Sequence, residues 1–552
     1  MWSRRLQRCR VPVHRTVRFT RKYNDQAIGP HTTYFQPPPS QQKPPRRIFR
    51  SILLATSCLA AGAYAHAWIY NLPFMGFGLE IEDEDGLPTS VETEALEDAM
   101  GTAVQAAAAT QVPPMDLMRA QEMLESRAGY SVTPKAVSHT CQHPSNLPCE
   151  DTWSSGAFNF FNDQTKDWCE WAIFDGHAGP RTAELLKQVL PSAVGQAMWE
   201  AKCFERSYTP NDGEIIATIK KAFVSLDNHV INQSRELIES GKLDKANIIA
   251  AASAVHSGSC ALLALYDPKK HILRVANTGD SRAVLGRWDK EGGKYAAQLL
   301  SHDQTGFNPE EVARLKRDHP DEDVVDPKSG RVHGIAVSRA FGDARWKWPQ
   351  EVTRRAHDLF WGPSPRPDRM IKTPPYLTAE PEVIETRLQT GAHPDFLIMA
   401  SDGLWDNMSS RDAVACVELW LEKNKPTNFL EKAKEEGVLA SLGFGGRGRM
   451  ALNSGTKEPS APTYSSMADL NGEDDTYFDK DGSLMWRVSP KHFVNEDQNC
   501  GIHLVKNALG GKRRDLFCGV MSVQPPLSRA VRDDITVHVV FFGVDTQDLI
   551  NN

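Results

Sequence analysis

Three apolar runs, each too short for an ordinary helix, meet an aspartate at one end. "CEWAIF" stops at Asp175, "DFLIMAS" runs into Asp402, and Asp533 and Asp534 stand directly before "ITVHVVFFG". Runs of this length bounded by turn residues read as buried strands. The device recurs at Asp280, in a hairpin turn after "SCALLALYDPKKHILRVAN", and upstream at Glu150 and Asp151. A single strand-end Asp is ordinarily a turn residue, because its side chain bonds its own backbone. Several of them at one edge repel one another unless a cation neutralises them. Hard oxygen ligands of this kind suit Mg²⁺ or Mn²⁺ rather than Zn²⁺. Two such ions can bridge a water, lower its pKa and polarise a phosphoryl oxygen. The spacing alone leaves open whether these acids converge.

The rest of the body has the pattern of a packed domain. After "DGHAG", Pro180 suits a first helical position, and Ala183, Leu186, Val189 and Leu190 line one helix face. "SCALLALYDPKKHILRVANTGDSRAVLGR" reads as strand, turn, strand, turn, strand. "NPEEVARLKRDH" opens a helix with Asn308 as cap, Pro309 first and acids in the first turn. The aromatic, basic and proline-rich stretch from Asp343 to Tyr376 reads as a long connection, either a flap for protein-substrate recognition or surface packing. Residues 444–483 are polar and Gly/Ser-rich, the composition of a disordered insert. Their "DKDG" does not fit a calcium loop: with Gly482 at the sixth position, Tyr477 falls at the first and Val488 at the twelfth.

Charge divides the chain unevenly. Residues 1–50 hold 12 Lys/Arg and one acid, Asp25, which leaves 51 basic and 69 acidic residues in the remainder. So acidic a body argues against a nucleic-acid partner. Ten cysteines in 552 residues, with no CxxC pair, form neither a disulfide scaffold nor a zinc finger, and Cys141 and Cys149 read as separate thiols. The Arg-rich, nearly acid-free start reads as a mitochondrial presequence, with a disordered basic tail as the alternative. A proline-rich spacer completes residues 1–50. Residues 51–78 are apolar over the length of a membrane-spanning helix. Arg46, Arg47 and Arg50 lie before them and Glu80 to Asp85 after them. That charge bias would tether the body in the intermembrane space, with a buried core helix as the other reading. Residues 79–134 read as a linker and the packed domain as 135–545.

Six motifs carry a resemblance. "DGHAG" at 175–179, "SGSCA" at 257–261, "NTGDSRAVL" at 277–285, "VSRAFGD" at 337–343, "ASDGLWDNM" at 400–408 and "RDDITV" at 532–537 stand in the order of the type 2C, or PPM, metal-dependent Ser/Thr protein phosphatases. "HDQTGFNPEEVARLKRDHP", "FGDARWKWP", "TPPYLTAEPEV" and "VKNALGG" resemble the mitochondrial pyruvate dehydrogenase phosphatase branch. The resemblance implies an α+β fold, a four-layer α-β-β-α sandwich with two central, mainly antiparallel sheets. It implies two Mg²⁺ or Mn²⁺ ions and a weaker third. Asp175 would bridge the first two and the Gly176 carbonyl would bind one. Asp402 and Asp533 would complete the other ion's ligands, with Glu150 acting directly or through a water and Asp151 beside it. Asp280 and Asp406 resemble the acids of the third site. His177 would protonate the departing Ser or Thr oxygen, a task for a group with a pKa near working pH.

Two positions depart from the family pattern. Asn146 stands where an Arg commonly holds phosphate, and an amide cannot form that bidentate charged pair; the pyruvate dehydrogenase phosphatase branch also resembles the chain in having Asn here. Cys260 stands where Thr is frequent and reads as a small buried residue without a redox role. The implied substrate is a phosphoprotein such as pyruvate dehydrogenase. Because that complex is a matrix enzyme, matrix residence competes with the tethered topology. An inactive family member serving as a binding module and a phosphatase of small phosphoesters are the alternatives. Mutually repelling acids retained at 175, 402 and 533 disfavour the inactive one.

Overall fold

The computed structural model describes residues 115–133, 135–158, 168–204, 211–242, 244–429, 476–478 and 484–544. The expected presequence, the apolar 51–78 segment and most of the 444–483 insert lie outside the described residues. Strand Thr476–Phe478, at the end of that insert, pairs with Leu484–Trp486. Among the described residues no helix is long and apolar enough to cross a membrane.

Buried strands dominate the centre, as the apolar runs require. The first sheet joins β1 (Ala128–Thr133), β2 (Ala136–His143), β7 (Arg282–Asp289), β8 (Lys294–Leu299), β10 (Phe396–Ala400) and β11 (Ile535–Phe542) in the order β1-β2-β11-β10-β7-β8. The second joins β3 (Thr152–Phe158), β4 (Trp168–Phe174), β5 (Ala261–Asp267), β6 (Ile272–Thr278) and β9 (Glu382–Arg387) in the order β9-β6-β5-β4-β3. All these pairings are antiparallel. Trp171, Leu262, Leu273, Leu285, Met399 and Phe542 fill the space between the sheets. Each such side chain contributes about 1.5–3 kcal/mol by leaving water.

Helices cover both outer faces. Against the second sheet, Leu186 and Leu190 of α2 (Arg181–Glu200) and Ile219 and Phe223 of α3 (Asp212–Ser240) pack on Phe174 and Leu263. Against the first sheet, Val417 and Trp420 of α9 (Ser410–Leu421), Leu504 of α10 (Cys500–Ala508) and Phe517 of α11 (Arg514–Ser522) pack on Ile398 and Val539. The result is the expected α-β-β-α sandwich.

Two local expectations change. The sheet starts earlier than residue 135: α1 (Leu117–Glu125) buries Ala120 and Leu124 in the first-sheet core, and β1 pairs with β2. The segment around Asp280 is not a hairpin turn, because β6 belongs to the second sheet and β7 to the first. Residues 279–281 therefore carry the chain from one sheet to the other. Strands apolar on both faces carry no alternation that assigns them to a sheet.

The connection from Asp343 to Tyr376 is built, not loose. It holds the short helix Ala344–Lys347 (α6) and α7 (Gln350–Phe360). Trp346 and Trp348 are buried in two different clusters, and Lys347 Nζ donates to Asp227 Oδ2 at 2.6 Å between them.

Glu311 ties α5 (Pro309–Asp318), capped by Asn308 as expected, to the "VSRAFGD" segment. Its buried carboxylate accepts from Ser338 Oγ at 2.6 Å, Arg314 at 2.9 Å and Arg339 Nε at 3.0 Å. Burial alone would raise its pKa, but hydrogen bonds from Arg339 and Arg314 and their charges outweigh it and hold the group at about 2. A depressed carboxylate stabilises the fold above its unfolded pKa, near 4.5 here, and loses that contribution as pH falls through the folded value. Glu311→Gln is expected to cost about 3–5 kcal/mol at pH 7, since it leaves the largely buried Arg339 guanidinium without its carboxylate. Urea unfolding of wild type and variant should show the gap closing as pH falls from 4.5 toward 2. An unchanged gap at low pH would contradict the assignment.

Candidate active site

A three-stranded ribbon assembles the first motifs. Residues 176–177, 258–259 and 341–342 pair antiparallel, Gly176 with Ser259, His177 with Gly258, Phe341 with Ser259 and Gly342 with Gly258. "DGHAG", "SGSCA" and "RAFGD" are thereby set side by side, although 166 residues separate His177 from Asp343. Two glycines permit the approach. A Cβ at Gly176 would run into the Glu150 carbonyl oxygen, and one at Gly258 would overlap both His177 Nε2 and Asp343 Oδ2.

The carboxylates converge beside this ribbon. Asp175 follows β4, Asp402 opens the short helix Asp402–Trp405 (α8) after β10, and Asp280 sits at the sheet crossing. One donor atom each of Asp175, Cys260 and Asp280 lies within 4.8 Å of the others. Burial first, then the charges of Asp402, Asp151 and Asp280, hold the Asp175 carboxyl well above the usual carboxylate range. Burial, then Asp280, Asp406 and Asp151, does the same to Asp402. Asp280 and Asp406 are also raised, chiefly by burial. Asp151 is pushed up to about 7 by burial and by the neighbouring Asp534. Asp175 Oδ2 and Asp151 Oδ2 are buried without a hydrogen-bond partner. Crowded, partnerless oxygens of like charge fit a hard divalent cation.

Asp533 lies at the same edge, paired with Arg529. The Arg529 charge also lowers the pKa values of Asp402 and Asp406, so it is a counter-cation within the acid group. Asp534, its neighbour, has a different task. Its carboxylate accepts the Ser145 N–H, the Asn146 N–H at 3.0 Å and the Glu150 N–H at 2.8 Å. It therefore pins the 145–150 turn to the start of β11. Asp534→Ala is expected to cost about 3–5 kcal/mol by orphaning these donors, and limited proteolysis should cut the variant first near residues 145–150. A variant as stable and as resistant as wild type would overturn this role.

Glu150 is braced on both oxygens. Oε1 accepts the Gly179 N–H at 2.5 Å and Oε2 accepts Asn146 Nδ2 at 2.9 Å. Asn146, in the place of a family arginine, thus holds the acid that holds the "DGHAG" loop. Cys260 is buried as expected, and its thiol additionally donates to Asp280 Oδ1 at 3.2 Å.

Sequence reasoning quoted Asp343 within a motif but gave it no role. The structure places its Oδ2 2.7 Å from His177 Nε2. Asp343 is 1% exposed and has φ +51°, a left-handed conformation that Asp tolerates better than most residues. Burial alone would lower the His177 pKa, but the Asp343 charge and hydrogen bond, then Asp280 and Glu150, raise it above its ordinary value. The buried carboxylate partner and the left-handed bend of "FGD" were the only signals, and neither shows in a linear sequence.

Comparison with known proteins identifies the family. Residues 143–440 match the family described as Protein phosphatase 2C. A protein phosphatase 2C homologue of Schizosaccharomyces pombe is 35% identical over 408 residues, covering 73% of this chain and 80% of that protein. The mitochondrial pyruvate dehydrogenase (acetyl-transferring) phosphatase 1 of Saccharomyces cerevisiae is 33% identical over 429 residues, covering 74% of this chain and 69% of that protein. A solved serine-threonine phosphatase 2C from Toxoplasma gondii aligns with 75% of this chain and 98% of its own at 16% identity, with a TM-score of 0.40.

Proposed function

Because this chain belongs to the protein phosphatase 2C family of protein serine/threonine phosphatases, we propose that it hydrolyses phosphoserine and phosphothreonine on a mitochondrial phosphoprotein with the help of Mg²⁺ or Mn²⁺. The observation that carries the reading is the cluster of Asp175, Asp280, Asp402 and Asp151 next to the His177–Asp343 pair. Asp175, Asp402, Asp533 and the Gly176 carbonyl would hold two ions, with Asp151 and Glu150 supporting them and Asp280 and Asp406 serving a third. Bound there, such ions supply a water of lowered pKa and polarise the phosphoryl oxygen.

The protein's own groups do the rest. Asp343 engages His177 Nε2, which leaves Nδ1 as the nitrogen able to face the leaving oxygen. The raised pKa favours the charged ring, the form that can give a proton to a poor alkoxide leaving group. Glu150, through Gly179, fixes the loop that carries His177.

The substrate we propose is phosphorylated pyruvate dehydrogenase. The name of the Saccharomyces cerevisiae relative and the Arg-rich start of the chain support both that substrate and the compartment. The test is phosphate release from phosphorylated pyruvate dehydrogenase by the full chain, with Mg²⁺, with Mn²⁺ and with chelator. Turnover that requires metal is expected. No release under any metal condition would sink the reading. Release from other phosphoproteins but not from pyruvate dehydrogenase would overturn the substrate alone.

A further inference from the structure

Just past Asp343, the Asp343–Tyr376 connection carries two guanidinium groups that no carboxylate among the described residues neutralises. Arg345 follows Asp343 by two residues, and Arg366 approaches it from the far end of the connection. Both lie over the ring of Trp346, with Cζ at 5.6 Å and 5.2 Å from its centroid. The Nε atom of each is buried and without a hydrogen-bond partner. Among the described residues neither arginine has a carboxylate within ion-pair distance. The nearby acids are already engaged: Asp368 with Arg354, and Glu322 with the Tyr376 hydroxyl at 2.7 Å.

The surroundings raise the cost of this arrangement. Burial, and for Arg345 the neighbouring Arg366 charge, lowers the pKa of each arginine. The terminal nitrogens of Arg366 lie against Gly334, whose φ of +93° suits a residue without a side chain. His333 Nε2, close by, is also buried without a partner. Trp346 shares its cluster with Cys260, whose thiol reaches Asp280. Arg345 is also only two residues from Asp343, which holds His177, so the pair sits a short stretch of chain from the site of chemistry. Cation–π contact offsets part of the repulsion, yet it leaves the planar donor edges unused. Those edges match a carboxylate or phosphate in bidentate fashion.

We propose that Arg345 and Arg366 form a subsite for a second oxyanion, carried by the substrate polypeptide beside its phosphoserine or phosphothreonine. This rests on the phosphatase reading above and adds to it a rule for selecting the substrate: an acidic or doubly phosphorylated sequence. A structural pair stacked on Trp346 for packing alone would show no such selectivity.

The test compares phosphoserine peptides with the full chain and Mn²⁺. One peptide has neutral flanks. In the others a Glu, or a second phosphoserine, is walked outward one residue at a time on either side. Wild type is expected to bind at least one acidic peptide with a KM roughly tenfold or more below the neutral one. A larger gain from phosphoserine assigns a phosphate to the subsite, and an equal gain assigns a carboxylate. The Arg345→Gln/Arg366→Gln double variant is expected to bring the KM ratio close to one. Arg366→Glu should favour a peptide with Lys at the same place, a gain that misfolding cannot mimic. Hydrolysis of the neutral peptide and of p-nitrophenyl phosphate with no acidic preference overturns the subsite alone. So does a preference that survives the double variant. No metal-dependent hydrolysis of any peptide overturns both.

Discussion

Replacing Asp175 by Asn is expected to abolish metal-supported phosphate release while making the metal-free protein harder to unfold. Asn keeps the shape of the side chain and removes its charge. In the folded chain that charge is buried beside Asp402, Asp151 and Asp280, and one of its oxygens has no partner. Relieving like-charge crowding of this kind is worth about 1–2 kcal/mol of stability to the metal-free state. The same change removes the group proposed to bridge two cations. The loss of turnover should be about 10³-fold or more, equivalent to several kcal/mol of transition-state stabilisation. Thermal melts read the two effects separately. Wild type should gain stability as Mn²⁺ is added, because binding favours the folded state by mass action. The variant should start higher and gain almost nothing. An Asp175→Asn chain with a full Mn²⁺-induced shift would remove Asp175 from the metal site.

Asp343→Asn is expected to separate two kinds of substrate. Asn tolerates the left-handed backbone at this position, so the turn should survive. What disappears is the buried charge that holds His177 Nε2 and favours the charged ring. Hydrolysis of a phosphoserine protein, whose alkoxide must be protonated as it leaves, should fall about 10²- to 10⁴-fold in kcat. Hydrolysis of p-nitrophenyl phosphate, whose leaving group needs no proton, should fall by less than about tenfold. Gly258→Ala offers an independent route to the same split, because its methyl group would wedge between the two partners. Equal losses on both substrates would mean that Asp343 supports the fold and not the proton transfer.

What the sequence revealed follows from how local each signal is. Asp175 and Asp402 could be found because each ends a short apolar run, and burial of that run carries the acid to the sheet edge. The sandwich could be expected from the motif order. Asp343 acquires its role from a ribbon that joins distant segments, and no periodicity encodes that contact. The acidic pair at 533–534 was visible, but its division of labour depends on which carboxylate turns toward the 145–150 backbone. Because β6 and β7 are adjacent in sequence, Asp280 reads as a hairpin residue; in space the two strands belong to different sheets. Helix α1 reads as part of a linker because nine amphipathic residues do not announce what they pack against. Besides the nearby β2, it packs on α11, almost 400 residues later.

The position of β11 has a consequence for the order of events during synthesis. It is the last described strand in the chain, yet it lies between β2 and β10, and Asp533 and Asp534 immediately precede it. Until residues 533–542 emerge from the ribosome, β2 and β10 have no common neighbour, and the 145–150 turn lacks the carboxylate that pins it. A nascent chain carrying every other motif is therefore still one central strand short of a working centre. Closure through such distant contacts is intrinsically slow, and it ties hydrolytic competence to the synthesis of residues 533–542.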